Sequence, residues 1–196
     1  MEIRVMKFIF FAVQTLMVMA TVTGLARGST TVEVAGVAFP RTIQVQDIDL
    51  ELRGKALLRY MAIIKAYAGA LYLPVDTHHR QVLDPVPRRL ELSYFQAISA
   101  SDFAKATRHK LADNLSPAEL SNLSDRVGRF NALYRDVQPG DRYALTYIPG
   151  KGTELSLNGE TLGRIEGDDF GAAVFSIWLG PRPIDRSFKA ALLGKP

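Results

Sequence analysis

The sequence predicts an α+β fold, a large antiparallel sheet with its helices gathered on one side. Three observations carry that expectation. Runs that alternate polar with apolar residues come both before and after two stretches whose apolar residues recur at helical spacing. Helix starts are marked by capping residues, most clearly at Ser116, where Pro117 and Glu119 take the places a capping box and a first helical turn require. Asn158-Gly159 separates two short alternating runs and is the dipeptide that favours a tight hairpin.

Taken in order, residues 31–39 and 42–50 each read as one strand, punctuated by Pro40. Residues 55–73 are rich in β-branched and aromatic types and read as two consecutive strands ending at Pro74. The stretch 75–87, with Pro85, Pro87, His78 and His79, shows no period and reads as a loop. Residues 89–96 alternate and form another strand. Ser99 or Ser101 then caps a helix to about Asp113, and Ser116 caps a second to about Tyr134, which stops before Pro139-Gly140. Strands return at 142–148, 153–157 and 161–165. Asp168 is expected to cap a helix through Leu179, with Gly180 in the left-handed conformation beyond it, and Asp185 to start a last short helix ending at Gly194.

At 196 residues, 47% of them hydrophobic, the chain holds enough apolar material for one core. The net charge of +4 is spread among acids and apolar residues, with no basic run interleaved with exposed aromatics, so nucleic acid is not an implied partner. Arg4 and Lys7 precede an apolar stretch, residues 8–20, broken only by Gln14 and Thr15, and the small residues Gly24 and Ala26 follow. That is the form of a secretory signal peptide, with an apolar part short for a permanent span; the alternative is an uncleaved N-terminal anchor. Cleavage after Ala26 leaves a single domain, 27–196, in the periplasm or outside the cell. The absence of cysteine excludes a disulfide framework and a thiol nucleophile.

No serine lies in a glycine-flanked elbow, so a hydrolase triad has no support. His78 and His79 are neighbours expected to point apart on an extended chain, and His109 is distant, which argues against a metal site. The glycines of 149–153 lack the spacing and following helix of a phosphate loop and read as a hairpin connection. Asp168 and Asp169 sit where a helix starts, a capping position that requires no catalysis. No cofactor is implied. Arg59 stands out inside ALLRYMAII, with Tyr60 beside it and Tyr67 downstream. Facing inward, its guanidinium would need an anion such as a carboxylate at the end of an apolar cavity; facing outward, it would snorkel to solvent or pair with an acid.

Three segments, GKALLRYMAIIKAYAGALYLP (54–74), GDRYALTYIPGKGTELSLNG (140–159) and GDDFGAAVFSIWLG (167–180), together resemble bacterial chalcone isomerase-like proteins over nearly all of 27–196. The resemblance implies an open-faced β-sandwich, a large antiparallel sheet under a helical layer with a ligand cleft between. In the plant isomerases it would place the reaction on an arginine, a threonine, and a tyrosine and asparagine of the first helix. The counterparts here are Arg59, Tyr67, Phe103 and Lys110, and Ile177 replaces a late threonine.

Phe103 lacks the phenol and Ile177 the hydroxyl that would help polarise a substrate carbonyl, and losing such donors removes rate. The family's noncatalytic branch binds fatty acids through the arginine and a tyrosine, which makes Arg59 with Tyr60 or Tyr67 the candidate carboxylate site. The sequence therefore predicts binding of an apolar, carboxylate-bearing small molecule. The alternatives are an isomerase or lyase acting on another substrate, and a structural envelope protein with a solid interior.

Overall fold

A computed structural model describes residues 30–195; the export segment read at residues 1–26 lies outside them. The described chain begins with two strands, β1 (Thr31–Val34) and β2 (Val37–Pro40), paired antiparallel. A seven-stranded sheet follows in which neighbours in space are neighbours in sequence, all antiparallel: β3 (Thr42–Val45), β4 (Ile48–Tyr60), β5 (Ile64–Leu73), β6 (Arg88–Tyr94), β7 (Arg142–Ile148), β8 (Gly152–Leu157) and β9 (Glu160–Ile165). The helices are α1 (Ala100–Asn114), α2 (Pro117–Leu133), α3 (Asp168–Leu179) and α4 (Arg186–Leu192). The α+β antiparallel sheet with a helical layer is the fold the sequence predicts.

The two N-terminal stretches differ from expectation. Residues 31–39 and 42–50 each fold back on themselves, turning at Ala35-Gly36 and Gln46-Asp47, with φ of 54°, 90° and 55° at Ala35, Gly36 and Gln46. The parity of the apolar residues shows why. Val32 and Val34 stand on even positions, Val37 and Phe39 on odd ones, and the pairs Val32↔Phe39 and Val34↔Val37 share a face. Ile43↔Leu50 and Val45↔Ile48 repeat the slip. A two-residue turn shifts the alternation by one place, because opposed residues must point the same way.

The sheet carries two cores. Ala68, Ala70 and Tyr72 of β5 face Phe39 and Leu50 under the β1–β2 hairpin, whereas Tyr67, Leu71 and Leu73 face the helices. A strand buried on both faces loses its polar alternation, which is why this segment reads as a continuous apolar run. Arg142 fastens the hairpin to the sheet: its guanidinium lies 4.6 Å from the Phe39 ring centroid, donates to the Ala38 carbonyl at 3.0 Å and pairs with Glu91 at 3.1 Å. On the helical side the fully buried Arg88 lies 4.2 Å from the Tyr147 ring and 4.7 Å from that of Phe175. It donates to the carbonyls of Asp84 (2.7 Å) and Val86 (3.3 Å), tying the proline-rich loop down. Burial lowers its pKa to about 10, so it is a cation at neutral pH.

Helix ends follow their caps. Ser99 accepts from the Asp102 N–H, the Ser116–Glu119 capping box is complete, and Asp185 accepts from Phe188 N–H at 2.7 Å. The start of α3 differs from the reading above. Gly167, at φ 101°, takes the cap position, and Asp168 and Asp169 fall in the first turn, where Asp169 grips Arg126 through two bonds of 2.7 and 2.6 Å. Gly180 is extended at φ −74° rather than left-handed. Its lack of a side chain serves close approach, since a Cβ there would stand 2.7 Å from Asn114 Oδ1.

Close approach also seats α4. A Cβ on Gly54 would strike the Ala191 carbonyl oxygen and stand 2.5 Å from that of Leu192, and one on Gly69 would stand 2.6 Å from Phe188 Cζ. Backbone atoms cannot yield as a flexible side chain does, so Gly54→Ala should cost at least about 3 kcal/mol, the upper part of the overpacking range. Gly128, inside α2, meets nothing within 4 Å, and Gly128→Ala should gain roughly 0.5–1 kcal/mol from helix propensity. Denaturant midpoints at constant slope measure both; similar shifts for the two variants would refute this account of α4.

Candidate functional site

The inner face of the sheet and the helices enclose a cavity of about 250 Å³. Strands supply its floor. Tyr67 of β5 and Tyr94 of β6 are register partners, and Tyr143, Leu145 and Leu155 continue the row on β7 and β8. The α1 helix supplies Phe103, Ala106, Thr107 and Lys110, α2 supplies Phe130, and Tyr134 follows directly after it. Ile177 and Trp178 of α3 and Ile184 beyond it close the far wall. Among the lining residues Asp102, Ala106 and Ile184 are exposed and Lys110 half-buried, which places the opening between α1 and the α3–α4 connection.

The walls are aromatic, and the rings brace one another. Tyr94 meets Tyr67, Phe103 and Tyr143 edge-on at centroid distances of 5.5, 5.3 and 6.0 Å, and Phe103 stacks on Tyr134 at 5.2 Å. Phe103 is thus the hub between α1 and the floor. Its ring fills the place where the resemblance implied a phenol.

Polar groups along the walls are mostly used inside the protein. Tyr143 donates to the Arg135 carbonyl and accepts from the Arg135 N–H, both at 2.8 Å. The hydroxyls of Tyr134 and Thr107 pair at 2.9 Å, and Tyr67 accepts from Trp178 Nε1 at 3.1 Å. That leaves the Tyr67 proton unused and the Tyr94 hydroxyl without a hydrogen-bond partner among the described residues. Burial holds the phenols of Tyr67, Tyr94, Tyr134 and Tyr143 above their ordinary pKa, so all four are neutral donors. At the rim Lys110 Nζ bonds Asp113 at 2.8 Å, while Asp102 is held by Ser99 and Lys105.

Of the residues singled out in the sequence, Tyr67, Phe103, Lys110 and Ile177 come together in this cavity. Arg59 and Tyr60 do not. They stand at the end of β4, where the chain turns toward β5; Tyr60 is 65% exposed, and Arg59 points to solvent, donating to the Ile63 carbonyl at 3.3 Å. A strand end beside a turn has water within reach, so the arginine takes the outward course and needs no buried anion. Tyr94, Tyr134, Tyr143 and Trp178 were not singled out. The signal for Tyr94 lay in its alternation with Leu90 and Leu92, three side chains that face the helices.

His78 and His79 also depart from expectation. A turn beginning at His78 brings their rings to 4.1 Å. Among the described residues no three histidine or carboxylate side chains gather into a metal-binding group. Residues 149–151 connect β7 to β8, as read.

A family model described as chalcone isomerase-like matches residues 31–194. Among solved structures, the fatty-acid binding protein of Arabidopsis thaliana superposes with a TM-score of 0.65 at 14% identity, covering 84% of this chain and 96% of the other. No curated protein matches the sequence.

Raised phenol pKa values tie stability to pH. The folded chain keeps protons that the unfolded chain releases near the ordinary value of 10, so the stabilisation is complete below pH 10 and is lost as pH rises beyond it. Alkaline titration should show most tyrosinate absorbance appearing together with loss of far-ultraviolet circular dichroism. Ionisation of most tyrosines near pH 10 with the fold intact would contradict the burial described.

Proposed function

This chain belongs to the chalcone isomerase-like family, and from that premise we propose that it is a noncatalytic binder of an apolar small molecule bearing a carboxylate. The observation that carries the proposal is the cavity itself, about 250 Å³ walled by aromatic and aliphatic side chains whose phenols stay neutral. Such a site rewards burial of hydrocarbon and offers few of the convergent donors that transition-state stabilisation needs. Fatty-acid binding by the Arabidopsis structure agrees with that reading. The carboxylate contact moves from Arg59, which lies outside the cavity, to Lys110 at the rim, with Tyr67 and Tyr94 as neutral donors within.

Size narrows the guest. A cavity of roughly 150 Å³ accepts benzene, so about 250 Å³ holds on the order of ten non-hydrogen atoms. The hydrocarbon body of a medium-chain carboxylate fits with its carboxylate at the opening, whereas longer chains would extend through it. The signal-like features of residues 1–26 and the absence of cysteine support a periplasmic or secreted setting. No helix among the described residues is long and apolar enough to cross a membrane.

Isomerase or lyase activity on another substrate is the second reading, favoured by the two lining tyrosines, Tyr67 and Tyr94, whose hydroxyls have a proton left to donate. The cavity speaks against a solid structural protein.

Trp178 is the chain's sole tryptophan and lines the cavity, which makes its fluorescence the natural reporter. Decanoate should change it saturably. By calorimetry, Ala106→Phe at the opening should abolish binding, and Lys110→Ala should weaken decanoate about five-fold, an effect of about 1 kcal/mol, without altering decanol. Absence of saturable binding by carboxylates of eight to twelve carbons would refute the proposal. Chalcone cyclisation above the spontaneous rate would favour the second reading.

A further inference from the structure

Among the described residues, four of the six exposed large apolar side chains sit within residues 60–64: Tyr60 (65% exposed), Met61 (73%), Ile63 (77%) and Ile64 (42%). They form the tip of the β4–β5 hairpin. Pairing of β5 with β6 ends at Tyr67↔Tyr94, while pairing with β4 continues to Tyr60↔Ile64. The ribbon therefore runs about 10 Å past the sheet at roughly 3.3 Å per residue.

Turn geometry does not ask for these residues. Met61 and Ala62 hold φ of 50° and 64°, a region that glycine and asparagine occupy with least cost. The β8–β9 hairpin uses Asn158 and Gly159 for the same purpose, at φ 52° and 87°. The β1–β2 and β3–β4 turns carry Ala35-Gly36 and Gln46-Asp47. Among the hairpin turns of the described residues, only that of the longest hairpin carries bulky apolar side chains, against both solvation and backbone preference.

Charge identifies what they meet. Arg59 and Lys65, both exposed and opposed across the ribbon, flank the apolar tip in the pattern of a segment that sits at an anionic lipid interface. The tip also adjoins the cavity's opening. A groove of about 450 Å³ runs beside it, bounded by Leu58, Arg59 and Ala62 on one side and Asp185 and Phe188 on the other. The neighbouring residue, Ile184, lines the opening.

We infer that the β4–β5 tip is a membrane-docking element: Tyr60, Met61, Ile63 and Ile64 enter the interface of an anionic bilayer while Arg59 and Lys65 hold its headgroups. The inference stands apart from the identity of the cavity's guest. Decanoate titration reports on the cavity, and vesicles report on the tip.

The chain has no cysteine, so Ile63→Cys accepts a single environment-sensitive fluorophore, and Ala118→Cys on exposed α2 provides a matched control. With vesicles of equal phosphatidylglycerol and phosphatidylcholine, the label on Ile63→Cys should brighten and shift to the blue, and the label on Ala118→Cys should not. Arg59→Ser with Lys65→Ser should weaken the response at least ten-fold, as should high salt. Met61→Ser with Ile64→Ser, changes at exposed positions, should weaken it similarly while leaving decanoate binding intact. An unchanged Ile63→Cys label would overturn the inference. So would a response that depends on protein concentration without vesicles, which would make the tip a contact between copies of the chain, or one equally strong on pure phosphatidylcholine.

Discussion

How near each helix comes to the sheet governs everything else in this molecule. At the β4–β5 end, Gly54 and Gly69 let α4 rest almost on the strand backbone, and Gly171 lets α3 settle against Tyr147. Elsewhere the spacing is set by large rings. Phe103, Tyr94, Tyr134 and Tyr143 interlock between α1 and the strand floor and keep that helix raised. A layer pressed down at one end and propped at the other leaves the cavity between.

The same rings decide what the cavity favours. Each tyrosine presents mainly its ring to the interior, and most of the hydroxyls are engaged elsewhere in the protein. Burial opposes ionisation of all four phenols. Among the described residues the inner walls of the cavity therefore carry no charged side chain, and Lys110, Asp113 and Asp102 stand at its rim. A guest with a hydrocarbon body and one ionised end matches that division, because its charge stays in water while its body leaves it. A reaction that develops charge deep within would find few dipoles aimed at it.

Much of this was legible in the sequence, and the parts that were not share a physical cause. Local rules located the capping box at Ser116, the Asn158-Gly159 turn and the alternation of β6, since each depends on residues close together in the chain. The doubled N-terminal hairpins were also local, but the clue was a one-place slip in apolar parity rather than a glycine-rich turn. Arg59 was misleading because its apolar neighbours Leu57 and Leu58 belong to the strand while Tyr60 and Met61 belong to a projecting tip; hydropathy alone does not separate a buried segment from an exposed apolar one. The cavity's tyrosines come from β5, β6, β7 and the end of α2, and only the sheet's register brings them together. Gly54 and Gly69 likewise look like ordinary strand glycines until α4 is seen against them.

The central claim is that the space under α1 holds an apolar guest. Native mass spectrometry of the chain purified without detergent tests it most directly. The account predicts a population carrying one small acidic lipid-like molecule, displaced by added decanoate and absent from Ala106→Phe. A bare protein mass that stays unchanged on adding medium-chain carboxylates would contradict it.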